Sequence, residues 1–392
     1  MPVPAGTESP CTRGEALGPN AIARSYQPRR LRGAILGVAW NLTFLAAFLH
    51  WGFASRPPRW LAWTLGDGRI WPVYILVFYA LYALVSFPLD LWYGYLHERR
   101  YGLVKQGLRA WGRDWLLGVF QHGLLFVIGS SLLVYLQIHA GQAWLMYALA
   151  AVLVLFLGST YFAFDLIPRG LFQHEAANEH LAGRLQRLVE PAVRSLPPVI
   201  VFTHPELRDF SGGIMGWGRR EVLLISRPTV ELGSDALLRF VLLHEMGHRR
   251  FRHLVLSALV GWVWVSAGLV LGDAIIGRRA TGMVGSPMYI PWLAMFITCW
   301  MILSHPVLAY VGRRLEYQAD RFYLRSGGNA EEMRTALLEL SRRNLARTDL
   351  TLRRQSLVQA MPTPARRLAA AQRYVEKRGL PNPGLTRRDE EE

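Results

Sequence analysis

Five long runs of this chain contain no Asp, Glu, Lys or Arg, and such runs leave few folds open. They are Gly33–Ser55, Ile70–Leu89, Trp115–Phe164, Leu254–Gly272 and Ala280–Gly312. About 20 apolar residues in a helix cross a bilayer core, and soluble helices rarely run that far without a charge. The 115–164 run is long enough for two crossings, broken near His139-Ala-Gly-Gln142. Six spans are therefore expected, near 33–54, 70–92, 115–138, 142–165, 254–276 and 289–312. Only 18% of the 392 residues are charged and 52% are apolar, whereas soluble domains carry about 25% charged residues. The competing explanation, buried helices of a large soluble protein, is disfavoured by the length of the runs.

The net charge of +16 could suggest a nucleic-acid partner, but the placement of the basic residues points elsewhere. They gather beside the spans, at 24–32, 99–113 and 249–252 and at Arg313 and Arg314. This is the positive-inside bias. It puts the N-terminus, the 96–114 loop, the 166–253 region and the C-terminal tail in the cytoplasm, and no nucleic acid is expected as a partner. Arg56, Arg59, Arg278 and Arg279 fall in the expected outer loops. The first span does not read as a cleaved signal peptide, because a polar 32-residue segment precedes it and its apolar run is too long. The two cysteines, Cys11 and Cys299, offer neither a disulfide framework nor a cysteine-based zinc site.

The expected fold is mainly α, a polytopic membrane protein with a cytosolic-side domain that contains a small β-sheet. Residues 1–32 read as a disordered cytosolic tail, 33–165 as an N-terminal membrane domain of four spans, and 381–392 as a polar tail. Residues 166–380 read as one domain interrupted by a membrane hairpin, 254–312. Within it, 176–189 has the spacing of an amphipathic helix, and 199–203 and 222–226 read as short strands. The SGGIMGWG segment between the strands reads as a glycine-rich turn. Ser234-Asp235 caps a helix through His244, and further helices are expected at 330–344 and 365–377.

His244-Glu-Met-Gly-His248 carries the H-E-x-x-H pattern. On a helix, positions i and i+4 share a face, so both imidazoles can reach one zinc ion, and Glu245 can take a proton from water beside it. A catalytic zinc takes three protein ligands. Glu316, in RRLEYQADRF at 313–322, is the candidate third ligand, and Asp320, one turn on, can hold the back nitrogen of a ligand histidine. Read blandly, these are surface histidines and ordinary helix ion pairs. In the metal reading, a helix entering one span and a helix leaving the next would bring the ligands together at the cytosolic membrane face. A peptide or protein substrate, possibly tethered to the bilayer, can reach them there.

HEMGH followed by LEYQAD resembles the integral-membrane zinc metalloproteases of the Ste24/HtpX group, the M48 peptidases. LPPVIVF and GWGRREVLLISRPTVE resemble the stretch before their zinc helix. SFPLDLWYGYLHERRYGLVKQGLRAWGRD, at 86–114, looks like the segment between two spans in the Ste24 (CAAX prenyl protease) branch, with Glu98, Gly102 and Gln106 in matching places. The resemblance implies a zincin-like protease domain facing a helix-enclosed chamber. It implies one Zn2+ per chain held by His244, His248 and Glu316, with Glu245 as catalytic base and Asp320 and Arg367 as supporting residues. Three departures stand out. Ser211-Gly212 fall where the family commonly has Asn-Ala on the substrate-binding strand, Met361 replaces the histidine of a late His-Pro motif, and six spans are expected rather than seven.

Other histidines carry weaker signals. His253 reads as an interfacial residue or a donor beside the site, His305 as a polar kink partner or chamber-lining residue, and His174, His180 and His204 show no site-like spacing. Two rival functions accompany the protease reading. One is a zinc-binding pseudoprotease acting as a scaffold, motivated by Met361. The other is a transporter, which charges clustered outside the spans argue against.

Overall fold

The computed structural model describes residues 19–51, 70–102, 104, 106–165, 173–203, 212–279, 284–343 and 361–379. Cys11, His204, Ser211, the aromatic residues at 60–63 and the 381–392 tail lie outside the described residues. In chain order, helix α1 (Pro19–His50) precedes α2 (Ile70–Asp90), which continues through a π-helical stretch, Leu91–His97, into a short turn at Glu98–Arg100. Helices α3 (Leu108–His139) and α4 (Trp144–Tyr161) come next. They are followed by β1 (Gln173–Ala176), α5 (Glu179–Val189), β2 (Val199–Thr203), β3 (Gly212–Met215) and β4 (Val222–Ser226). Then come α6 (Arg227–Leu232), α7 (Asp235–Arg250), α8 (His253–Arg279), α9 (Tyr289–Arg325), α10 (Ala330–Arg343) and α11 (Pro364–Arg378). Helix α1 begins inside the segment expected to be a disordered tail.

Among the described residues, six helices are long and apolar enough to cross a membrane: Arg29–His50, Trp71–Arg100, Leu108–His139, Gly141–Tyr161, His253–Gly277 and Tyr289–Arg325. No more than 17% of any of their apolar windows is buried inside the protein. Leu125, Val154 and Leu303 are 70%, 71% and 78% exposed. Apolar surface on that scale requires hydrocarbon around it rather than water. Helix α9 has 37 residues, about 55 Å at 1.5 Å per residue, and a bilayer core is only about 30 Å thick. The helix therefore continues past the charge-free run that ends at Gly312, and Arg313 is the first charged residue beyond it.

The chain forms two compact units. One takes residues 26–155 and 261–303, and its core packs Leu45, Phe48, Ile75, Val134 and Leu293 from α1, α2, α3 and α9. Within this unit α8 and α9 pack at Gly268 and Gly272. A Cβ at these positions would stand 2.8 Å from Trp300 and 2.9 Å from Phe296, so the small-xxx-small spacing lets aromatic rings fill the groove. Two hydrogen bonds cross between these helices. Tyr289 Oη donates to Asp273 Oδ1 at 3.2 Å, and Trp300 Nε1 donates to the Trp264 carbonyl at 3.2 Å.

The second unit takes residues 19–25, 156–260 and 304–379 of the described chain. Its sheet has the order β1-β2-β4-β3, with β2 and β4 parallel and both outer pairs antiparallel. The segment expected as a glycine-rich turn opens with an edge strand, β3, and β1 adds a strand that the periodicity did not predict. Beneath the sheet, α7 is the central element. Ser234 Oγ accepts from the Leu237 N–H and caps it, and Arg249 and Arg250 favour its negative end. Leu237, Leu238, Val241 and Leu242 pack against Leu185 and Val189 of α5, Leu223 and Ile225 of β4, and Met333 and Leu337 of α10.

Helices α7 and α9 touch at Gly247 in this unit. A Cβ there would stand 2.8 Å from Ala319 Cα and 3.1 Å from the Ala319 carbonyl oxygen. Both neighbours are main-chain atoms and cannot rotate aside. In an exposed helix, Gly→Ala stabilises by about 1 kcal/mol. Here the sign reverses, and Gly247→Ala is expected to destabilise the protein by about 1–3 kcal/mol, the usual cost of overpacking. Thermal melting of purified protein in detergent measures it, and an unchanged or raised midpoint would show that this contact is not tight.

Candidate metal centre

Three side chains from two helices converge beside Gly247. His244 Nε2 and His248 Nε2 lie 3.2 Å apart. Glu316 Oε2 lies 3.3 Å from His244 Nε2, and Glu316 Oε1 lies 3.6 Å from His248 Nε2. Zinc bonds of 2.0–2.1 Å in a tetrahedron put ligand atoms about 3.3–3.4 Å apart, so the donor set fits one such ion. Glu245 also brings an oxygen within 4.8 Å of both histidines, but Glu316 lies closer to each Nε2 and completes the triangle.

The charges around this triangle fit a dication as well. The Glu316 and Asp320 carboxylates share one guanidinium, that of Arg367, and Glu245 stands beside them, so acids outnumber the arginine in a largely buried site. Buried charge is costly unless paired. Burial and the Arg367 charge pull the His244 pKa down, but hydrogen bonds to Asp320 and Glu316 outweigh them and lift it to about 9. Burial, then the His244 charge, pushes His248 down to about 4. A proton on His244 thus answers the same negative charge that a metal ion would answer.

The side chains behind the triangle are fixed in turn. His244 Nδ1 lies 3.1 Å from Asp320 Oδ1. Arg367 Nε donates to Asp320 Oδ2 at 2.9 Å, its Nη2 donates to Oδ1, and the guanidinium lies over the Phe240 ring, 5.4 Å from its centroid. The placement of Arg367 is set locally. Thr363 Oγ1 caps α11 by accepting from the Arg366 N–H, Pro364 begins the helix, and Arg367 falls in its first turn. The sequence expectations for Asp320 and Arg367 therefore meet at one carboxylate.

Glu245 faces the edge strand. Burial lifts its pKa to about 7 against the pull of His244, and it accepts a hydrogen bond from the Ile214 N–H of β3. Beside it opens a cavity of about 840 Å3 lined by Gly213, Ile214, Trp217, Arg252, Leu315 and Met361 as well as the site residues. Met361 is 71% exposed there. The Ser211-Gly212 expectation is half visible: Gly212 belongs to β3. His305, His174 and His180 belong to α9, β1 and α5 and line no part of this cavity. His253, read from the sequence as an interfacial residue or a donor beside the site, lies with Nδ1 2.9 Å from His248 Nδ1 and Nε2 3.2 Å from Gln318 Oε1; Gln318 was not singled out. The only signal for His253 is its position five residues after His248.

The chain is similar to known proteins over most of its length. Residues 175–375 match the family model of peptidase family M48. Residues 21–168 match that of the CAAX prenyl protease N-terminal, five membrane helices; within that stretch the described residues contain four of the spans. The uncharacterized metalloprotease YhfN of Bacillus subtilis (strain 168) is 21% identical over 347 residues, covering 84% of this chain and 80% of that protein. The crystal structure of S. mikatae Ste24p shares the fold, with a TM-score of 0.75, 17% identity and coverage of 90% of this chain and 88% of that one. With the family model spanning just over half of its length and its six spans around a Ste24-like fold, this multi-pass membrane protein belongs to the metalloproteases of peptidase family M48.

Proposed function

We propose that this protein is a zinc endopeptidase of the Ste24-like type, in which His244, His248 and Glu316 hold one Zn2+ and Glu245 is the general base. The observation that carries the reading is the 3.2–3.6 Å triangle of His244 Nε2, His248 Nε2 and the Glu316 oxygens. Zinc bound there supplies a Lewis acid that polarises the scissile carbonyl and makes water a nucleophile near neutral pH. Glu245 accepts the proton of the attacking water and delivers it to the departing amine nitrogen, which returns the carboxylate to its starting state. Its lifted pKa suits both halves of that exchange. Asp320 accepts from His244 Nδ1–H and keeps Nε2 turned toward the ion, and Arg367 holds Asp320 in place.

Among the described residues β3 has β4 on one side and no strand on the other. An extended peptide added to that free edge would lie beside Glu245. Strand β4 is paired on both sides and offers no such edge. The basic residues flanking the spans support a catalytic domain on the cytoplasmic side, and the apolar surface of the spans supports a substrate reached from, or tethered to, the bilayer. The domain layout follows: an N-terminal tail, four spans to 165, the protease domain at 166–380 around the hairpin 254–312, and a polar end. One observation favours a second reading. Met361 lines the cavity without a side-chain N–H to offer an oxyanion, so a zinc-holding scaffold without turnover is the alternative.

Glu245→Gln separates the two. The wild type should cleave a fluorogenic peptide in detergent about 10²–10⁴-fold faster than the variant, while both retain one zinc by elemental analysis. Equal rates would remove Glu245 from the mechanism, and no cleavage by either would leave the scaffold. Asp320→Asn should bind zinc about 10–100-fold more weakly than wild type, read by competition with a chromophoric chelator. An unchanged affinity would detach Asp320 from the metal.

A further inference from the structure

A second imidazole stands behind His248. His253 Nδ1 lies 2.9 Å from His248 Nδ1, and His253 Nε2 lies 3.2 Å from Gln318 Oε1. His253 is 2% exposed. It faces the rear nitrogen of His248, while Nε2 of His248 faces His244 and Glu316, so it is not a fourth ligand. One proton arrangement satisfies every contact. A metal on His248 Nε2 leaves the hydrogen on Nδ1. That hydrogen donates to His253 Nδ1, which puts the His253 hydrogen on Nε2, and this donates to the Gln318 oxygen, an acceptor only.

The backbone is bent to make this contact. On an unbroken helix, residues five apart point about 140° away from each other. Helix α7 instead stops at Arg250, and Arg252 takes φ 53°, the sole non-glycine residue with positive φ among those described. Left-handed backbone at a residue with a full side chain is strained, and such strain gathers at functional sites. The break turns His253 back onto His248 as the first residue of α8.

We propose that His253, backed by Gln318, is a positioning residue of the metal centre: it fixes the tautomer and ring orientation of His248 as Asp320 does for His244. The proposal rests on the metal reading above. The two ligand histidines are then held by unlike partners. His244 leans on an anion clamped by Arg367, and His248 leans on a neutral ring and an amide. Gln318 and Glu316 both belong to α9, so this one helix supplies a ligand and the anchor behind another ligand.

The test uses the full chain in detergent, with zinc affinity read by chelator competition and the cobalt-substituted protein read by its visible absorption bands. His253→Phe should bind zinc about 10–100-fold more weakly and shift the cobalt bands, while His253→Asn, which returns an acceptor near Nδ1, should come within about fivefold of wild type. Wild-type affinity and bands in His253→Phe overturn the proposal. So does a folded His253→Asn as impaired as His253→Phe, which would mark a packing role. If His253→Phe does not fold, Gln318→Leu carries the test. A several-fold loss of affinity supports the relay, and no change overturns it. A wild type that holds no zinc removes the metal reading and this inference together, whereas zinc held equally by wild type and His253→Phe removes the inference alone.

Discussion

Two helices meet at Gly247 and Ala319 with no side chain between them, and the rest of the site follows from that contact. His244 and His248 flank Gly247 on one helix, and Glu316 and Asp320 flank Ala319 on the other. Ligands about seventy positions apart in sequence thus arrive within 3.6 Å of each other. Any residue larger than glycine at 247 would separate the pair by about the width of a methyl group, enough to open every distance in the triangle. The glycine inside H-E-x-x-H here serves packing.

The second constraint is charge. Three carboxylates gathered under the sheet would repel one another in a medium that screens poorly. Arg367 answers one of them, and its guanidinium is itself seated on the Phe240 ring. The remaining charge favours a dication. In the proposed metal centre, affinity for the ion and the fixed geometry of its ligands would have one origin, the burial of acids that cannot reach water.

Much of this was legible in the sequence, for physical reasons. Spans announce themselves because a charge inside a bilayer is costly, so the runs between 33 and 312 could be read directly. Helix α7 was legible through its Ser234 cap and apolar spacing, and the approach of His244 to His248 through their i, i+4 geometry. The sheet edges were harder. Strand β1 is a four-residue polar segment, QHEA, exposed along its length, and β3 opens with two glycines that read as a turn. Helix α1 extends back to Pro19 through residues whose polarity suggested a loose tail. The contact of His253 with His248 was not legible because residues five apart do not share a helix face. Only the left-handed turn at Arg252 brings it round, and nothing about an arginine announces that conformation.

The glycines at the start of β3 have one more implication. A strand whose outer rim offers little beyond peptide groups holds an incoming chain by its amides and carbonyls, which every polypeptide shares. Such a rim sets the direction and depth at which a chain lies, yet it reads almost nothing of the identity of its residues. Discrimination between substrates then falls to the walls around Trp217 and Met361 and to which chains the surrounding lipid delivers.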